Sequence, residues 1–235
     1  MHRFFVDAGA IRDDGAELGG TQARQIATVL RLKAGDEVTL IAAGREHDVV
    51  IGAVSASRVS GRVTRTRDAQ GEPRVPIALG LPLLRGDRSE EVVEAVTQLG
   101  VSRIAPFVSA RSVVRALPDA KRRRWERIAR EAAETARRGR VPEVEPLRRW
   151  DELIAALRPP LLVAWERETG MRVRYAVPAN APALALVVGP EGGLTEDEIV
   201  QARKRGAVTV SLGARNLRSE TAAVSLVSLV VDALG

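Results

Sequence analysis

The stretch Leu186-Val187-Val188-Gly189-Pro190-Glu191-Gly192-Gly193-Leu194-Thr195-Glu196-Asp197-Glu198 decides the fold. It reads as a buried strand, a glycine turn and a helix start. The run before Gly189 is apolar without alternation, as in a strand covered on both faces. Three glycines let the backbone turn sharply and come close to a ligand. Thr195 followed by Glu198 is a capping box that marks the helix start. Ligands of open α/β sheets sit at the carboxyl ends of strands, where this loop lies. The spacing of Gly189, Gly192 and Gly193 is not G-x-G-x-x-G, and no Gly-Lys-Ser/Thr follows. The loop is therefore neither a dinucleotide fingerprint nor a P-loop. A tight turn without a ligand is the plain alternative.

A second stretch repeats the pattern. Val208-Thr209-Val210-Ser211-Leu212-Gly213-Ala214-Arg215-Asn216-Leu217-Arg218-Ser219-Glu220-Thr221-Ala222 runs from strand through loop to helix. Ser219 is suited to cap that helix, and Glu220 suits the positive end of its dipole. The helix itself, Ser219 to Leu234, is apolar nearly all round. That predicts burial in the core or in a subunit interface.

Working outward, Val75 to Leu81, Arg103 to Val108, Leu161 to Ala164, Leu184 to Val188 and Val208 to Leu212 read as strands. Ser89 to Leu99, Asp119 to Arg138 and Thr195 to Arg205 read as helices. Strands alternating with helices predict a mostly parallel sheet covered on both faces. Residues 1–70 look different. Asp36 to Ala42, His47 to Val54 and Arg58 to Arg67 read as strands, and Thr21 to Leu30 as a short helix with Ile26, Val29 and Leu30 on one side. A small β-rich barrel with one helix is expected there. Asp68-Ala69-Gln70-Gly71-Glu72-Pro73 reads as a linker. Two domains follow, residues 1–72 and 73–235.

The chain has 235 residues, no cysteine and two histidines, with a net charge of +6. Zero cysteine excludes a disulfide scaffold, a thiol nucleophile and an iron–sulfur cluster. No metal is expected. Nothing approaches the roughly 18 apolar residues of a membrane span, and the N-terminus lacks a signal-peptide pattern. A soluble cytoplasmic protein is expected.

Residues 73–150 hold 17 basic and 10 acidic side chains, whereas the segments on either side are nearly neutral. The excess centres on Lys121-Arg122-Arg123-Arg124-Trp125-Glu126-Arg127. A localised arginine patch is the footprint of a nucleic-acid binder. The bland reading is a solvated helix face in an arginine-rich composition.

Gly-Pro-Glu-Gly-Gly-Leu-Thr at 189–195, followed by Leu212-Gly213 and Leu217-Arg218-Ser219-Glu220-Thr221-Ala222, resembles the RsmE family of SPOUT-class methyltransferases. Arg85-Gly86-Asp87-Arg88, Leu99-Gly100-Val101, Trp125-Glu126-Arg127 and Arg138-x-Arg140-Val141-Pro142 fit as well. So do Arg3-Phe4-Phe5-Val6 and Val29-Leu30-Arg31 near the start. Departures from the family pattern lie at Ala23 to Ile26, Gln98, Thr135, Ala136 and Asn216. The resemblance implies a PUA-like barrel followed by an α/β domain with a trefoil knot. It implies S-adenosylmethionine as donor, a homodimer, and N3-methylation of a uridine in 16S rRNA, favouring the assembled small subunit as substrate.

On that footing, Val188, Gly189, Glu191, Gly192, Gly193, Leu212, Gly213, Asn216 and Leu217 are the expected cofactor residues. Arg218 is the candidate for stabilising the deprotonated uracil, and Glu191 or Glu220 for taking its proton. Arg3, Arg24, Arg31, Arg88, Arg111, Arg122, Arg123, Arg138 and Arg140 are expected to contact RNA. Aromatics at 3% leave little for base stacking. Absent cysteine disfavours methylation at uracil carbon-5. The alternatives are a SPOUT enzyme acting on another RNA or on ribose 2′-OH, or an RNA-binding module without activity. A nucleotide-dependent oxidoreductase fits least.

Overall fold

A computed structural model describes all 235 residues. The chain forms two compact units. The first comprises Met1–Glu72 and Ala133–Val141, the second Pro73–Ala132 and Pro142–Gly235.

In the first unit, six strands form one sheet: β1 (His2–Phe5), β2 (Ile11–Arg12), β3 (Gly15–Gly19), β4 (Glu37–Ala42), β5 (Arg45–Val54) and β6 (Arg58–Asp68). Their order is β1-β4-β5-β6-β3-β2, antiparallel except for the β1–β4 pair. Alternation sends Phe4, Leu40, Val49, Ile51 and Val59 to a buried face, joined there by Ala23 and Ile26. The opposite face is polar where β5 runs between β4 and β6. Arg3 and Arg67 both pair with the Glu46 carboxylate, and Arg67 also pairs with Asp48. Burial alone would raise the Glu46 and Asp48 carboxyls, but Arg3 and Arg67 outweigh it at Glu46, and Arg67 with the Thr39 hydroxyl at Asp48, holding both below the usual range. Phe5 and Ile41 emerge on this side as well, where Ala133 and Val141 cover them.

The expected helix at 21–30 is only half an α-helix. α1 (Gly20–Arg24) passes into a π turn over Gln25–Val29. The wider turn takes Val29 out of line with Ile26, so Val29 is 71% exposed rather than on the buried side. The stretch read as a linker is packed. Glu72 accepts from Arg138 Nε and Nη2 and from the Gly139 amide. A Cβ on Gly71 would stand 2.6 Å from the Arg137 carbonyl oxygen.

The second unit is built on parallel strands β7 (Ile77–Pro82), β8 (Arg103–Val108), β9 (Glu143–Val144), β10 (Arg148–Arg149), β11 (Leu161–Ala164), β12 (Leu184–Val187) and β13 (Ala207–Val210). The order is β10-β8-β7-β12-β11-β13, with β9 on β8. β7, β12 and most of β8, β11 and β13 are buried, as their apolar runs require. The helices are α2 (Arg88–Gln98), α3 (Asp119–Thr135), α4 (Trp150–Ala156), α5 (Val173–Ala176), α6 (Glu196–Lys204) and α7 (Ser219–Leu234).

α3 stops at Thr135 instead of Arg138, because Arg137 takes a positive φ of 56°. Ser219 is the first residue of α7 rather than its cap. Arg218 holds the cap position without a side-chain bond. α7 buries one face through Ala223, Leu226, Val227 and Val230, while Leu229 is exposed in the single chain. No helix is long and apolar enough to cross a membrane.

Candidate functional site

β12, β11 and β13 are neighbours in the parallel sheet. The loops that leave them converge beyond their carboxyl ends and enclose a cavity of about 920 Å³. Residues 164–172 come from the first loop in sequence, 188–193 from the second and 211–219 from the third, with Arg88 of α2 and Ala222 of α7 completing the wall.

The glycine loop is held from several sides. Its Gly193 amide donates to the Pro190 carbonyl at 2.8 Å, closing a turn in which Gly193 adopts φ +71°. A Cβ there would lie 2.8 Å from Glu166 Oε1, and one on Gly192 would lie 2.9 Å from Arg111 Cβ. Glycine is therefore required both by backbone angle and by space. Arg111 Nη1 donates to the Gly192 carbonyl at 3.1 Å. The expected capping box is present: Thr195 Oγ1 accepts from the Glu198 amide, and Glu198 Oε2 accepts from the Thr195 amide.

The wall carries both signs of charge. Arg88 lies 3.9 Å from Glu191 and 3.9 Å from Glu220, and Arg218 lies 4.0 Å from Glu220. The Arg85 amide donates to Glu191 at 3.1 Å. Glu220 Oε2 is buried without a partner. On the other side, Glu168 accepts from Thr209 Oγ1 at 2.7 Å and from the amides of Gly170 and Met171. The Thr209 hydroxyl bond above all, then the two amides, keeps its carboxyl below the usual range. Arg203 pairs with Glu168 at 3.5 Å and covers the Trp165 ring. The arrangement offers glycine backbone, fixed negative charge and arginines to one ligand.

All nine residues expected at the cofactor line this cavity. Of the three catalytic candidates, Arg218 and Glu191 line it. Glu220 does not, and stands behind Arg88 and Arg218. Among the residues expected at RNA, Arg88 belongs to the cavity wall instead of an outer basic face. Two others are corrections. Arg138 is fully buried and ion-paired with Glu72, so it is a structural cation. Arg3 has a largely buried side chain committed to Glu46. Arg24, Arg31, Arg111, Arg123 and Arg140 are exposed. Arg122 is half-buried and pairs with Glu126 one turn on.

Comparison with known proteins decides the lineage. The RNA methyltransferase domain family matches residues 71–231. A ribosomal RNA small subunit methyltransferase E of Bacillus subtilis is 33% identical, covering 98% of this chain and 96% of its own. This chain belongs to the ribosomal RNA small subunit methyltransferase E family. A member from Mycobacterium bovis is also 33% identical, over 94% of this chain and 87% of its own. Among solved structures, the family's Neisseria gonorrhoeae protein bound to S-adenosyl methionine superposes with a TM-score of 0.86 at 26% identity, covering 97% and 95% of the two chains. A putative methyltransferase of Legionella pneumophila with bound SAM gives 0.85 at 27%, covering 97% and 96%. The fold is accordingly the mixed α/β methyltransferase fold of that family.

Sequence reasoning missed the 164–172 loop, which brings Trp165, Glu166, Glu168 and Arg172 to the cavity. It has no glycine pattern like those of its neighbours. The usable signal was its position after an apolar strand, since strand ends are where α/β sheets bind ligands.

Proposed function

We propose that this chain transfers a methyl group from S-adenosylmethionine to N3 of a uridine in 16S ribosomal RNA. The observation that carries the reading is the cavity itself, framed by glycine turns at the ends of β12 and β13, the parallel strands on either side of β11. Arg111 and Glu166 crowd the positions that a Cβ on Gly192 or Gly193 would take, so only glycine keeps the turn tight at the cavity wall. Glu168 brings a persistent negative charge, and Glu166 a second carboxylate, to the same wall. That suits a ligand with a sulfonium and an ammonium group. Val188, Gly189, Gly192, Gly193, Leu212, Gly213, Asn216 and Leu217 are the residues proposed to hold it.

The bound cofactor supplies an activated methyl carbon and leaves as its thioether. In-line transfer asks the protein for placement and charge, with no covalent enzyme intermediate. Uridine N3 must lose its proton, which leaves negative charge on the flanking carbonyl oxygens. Glu191 lines the cavity and is the proposed proton acceptor. Arg218 meets only one carboxylate, at 4.0 Å, and is mostly exposed, so its charge is available to the substrate oxygens. Arg88, between Glu191 and Glu220, is proposed as a positioning residue that fixes both carboxylates. Glu220 acts through Arg88 and Arg218.

RNA contact is assigned to Arg24, Arg31 and Arg140 on the first unit and to Arg111, Arg122 and Arg123 on the second. The small sheet with its short helix supports a PUA-like barrel role for residues 1–72. β11 lies between β12 and β13 although it precedes both in sequence, and α7 returns to β12, α2 and α5. That ordering supports a trefoil knot. Val224 and Val231 on α7 are only partly covered in the single chain. An apolar helix left in that state supports a homodimer. The substrate is proposed to be the assembled small subunit, in the cytoplasm.

The reading is tested by incubating the purified protein with labelled S-adenosylmethionine and small subunits lacking the modification. Label is expected in 16S rRNA. A protein that binds the cofactor and the subunit but transfers nothing would be a binding module.

A further inference from the structure

Four arginines line the cavity, and they fall into two classes. Arg88 and Arg218 face carboxylates of Glu191 and Glu220. Arg172 and Arg215 have neither ion pair nor side-chain hydrogen bond. Their guanidinium groups nevertheless approach one point beside Gly213. An atom placed where Gly213 would carry a Cβ lies 3.6 Å from Arg215 Nη2 and 3.8 Å from Arg172 Nη1. The two chains are brought there by fixed backbone. Arg172 forms a parallel bridge with Ser211, and the Ser211 amide donates to the Met171 carbonyl at 2.8 Å. Gly213, at φ +108°, turns the chain between them, and its amide donates to Ser211 Oγ.

Two like charges held beside one point, neither paired with a carboxylate, make a site for an anion. Planar guanidinium forks match tetrahedral oxyanions by paired hydrogen bonds. We infer that Arg172 and Arg215 clamp a phosphodiester of the RNA strand next to the target nucleotide. The inference rests on the function proposed above for the same cavity.

Two features favour RNA phosphate over the carboxylate of the cofactor. Both arginines are exposed. Arg172 also lines a second cleft of about 310 Å³ that continues toward Arg174. There Arg174 lies 4.7 Å above the ring of Tyr175, which is 68% exposed and is the one tyrosine of the chain. A strand leaving the cavity past the clamp therefore meets an arginine–tyrosine surface suited to a neighbouring base.

The test uses the full chain and the double variant Arg172→Gln/Arg215→Gln. Binding to single-stranded oligouridylate is followed by fluorescence anisotropy over a salt series, and S-adenosylmethionine binding by calorimetry. The clamp predicts roughly tenfold weaker RNA binding at low salt. It predicts a salt slope smaller by about 0.7, the value of one single-strand phosphate contact. Cofactor affinity stays unchanged. Cofactor affinity that falls while RNA binding holds would overturn the inference in favour of a carboxylate clamp. No change in either, or a parent chain without affinity for the oligonucleotide, would also overturn it. Methyl transfer to small subunits is scored separately. A parent chain that binds RNA with the predicted slope but transfers no methyl group would refute the function and leave the clamp standing.

Discussion

Glu198 accepts a hydrogen bond at 2.8 Å from the backbone amide of Ala110, a residue 88 positions earlier in the chain. Its other oxygen accepts from the Thr195 amide at the start of α6. One carboxylate thus caps the helix behind the glycine loop and ties it to the segment after β8. The next residue, Arg111, bonds the Gly192 carbonyl. The glycine loop is therefore braced from outside by groups of the chain itself.

Glu198→Ala removes both bonds and leaves two partly buried amides without partners. It is expected to lower stability by about 1–3 kcal/mol. Cofactor affinity falls with it, because the brace on the loop is lost. Urea unfolding with and without S-adenosylmethionine measures both. A variant with parent stability would show that water replaces the carboxylate at no cost.

Gly193→Arg addresses the loop from inside. A side chain there meets Glu166 Oε1 and must adopt a positive φ. Calorimetry is expected to detect no S-adenosylmethionine binding, while circular dichroism keeps the parent helix and strand signal. Saturable binding at parent affinity would move the cofactor away from residues 189–193.

The arginines at the two carboxylates are expected to separate kinetically. Arg218→Ala should lower kcat about a hundredfold, the range for loss of one group that stabilises developing negative charge. Its KM for the cofactor should stay near the parent value. Arg88→Ala should lower kcat as well, and Arg88→Lys should recover part of the loss, since a cation again stands beside Glu191 and Glu220. An alanine variant at the parent rate, or a lysine variant no better than the alanine one, would remove its positioning role.

The first unit should be acid-sensitive. Glu46 and Asp48 both have folded-state pKa values below the ordinary carboxylate range, because Arg3 and Arg67 favour the charged form of Glu46, and Arg67 and the Thr39 hydroxyl that of Asp48. Carboxyls depressed by folding stabilise above their unfolded pKa and lose that contribution as pH falls through the folded one. Thermal stability should decline as pH drops below about 4. Glu46→Gln should be less stable at neutral pH and show a shallower decline. Parallel curves for variant and parent would show that the pair carries no linkage.

Much of the second unit was legible in its residues. β12 with its glycine loop and β13 with its arginine loop announce themselves through apolar runs that end at glycine, and Thr195 and Glu198 cap α6 as their spacing requires. The 164–172 loop was not legible, because Glu166, Glu168 and Arg172 are brought to the cavity beside Gly193, Thr209 and Ser211, which lie far off in sequence. Arg138 misled for the same reason. It sits in a basic run, yet its partner Glu72 is 66 residues away, and only folding turns a surface charge into a buried one. Val29 misled because a π turn has no distinct apolar period from which to read it.

The central claim is the identity of the modified atom. Small subunits lacking the modification are incubated with the purified protein and S-adenosylmethionine, and their 16S rRNA is digested to nucleosides for mass spectrometry against standards. The expected product is N3-methyluridine, formed about a hundredfold more slowly when Arg218→Ala replaces the parent chain. A ribose-methylated nucleoside, or a methyl group on any other base, would contradict it.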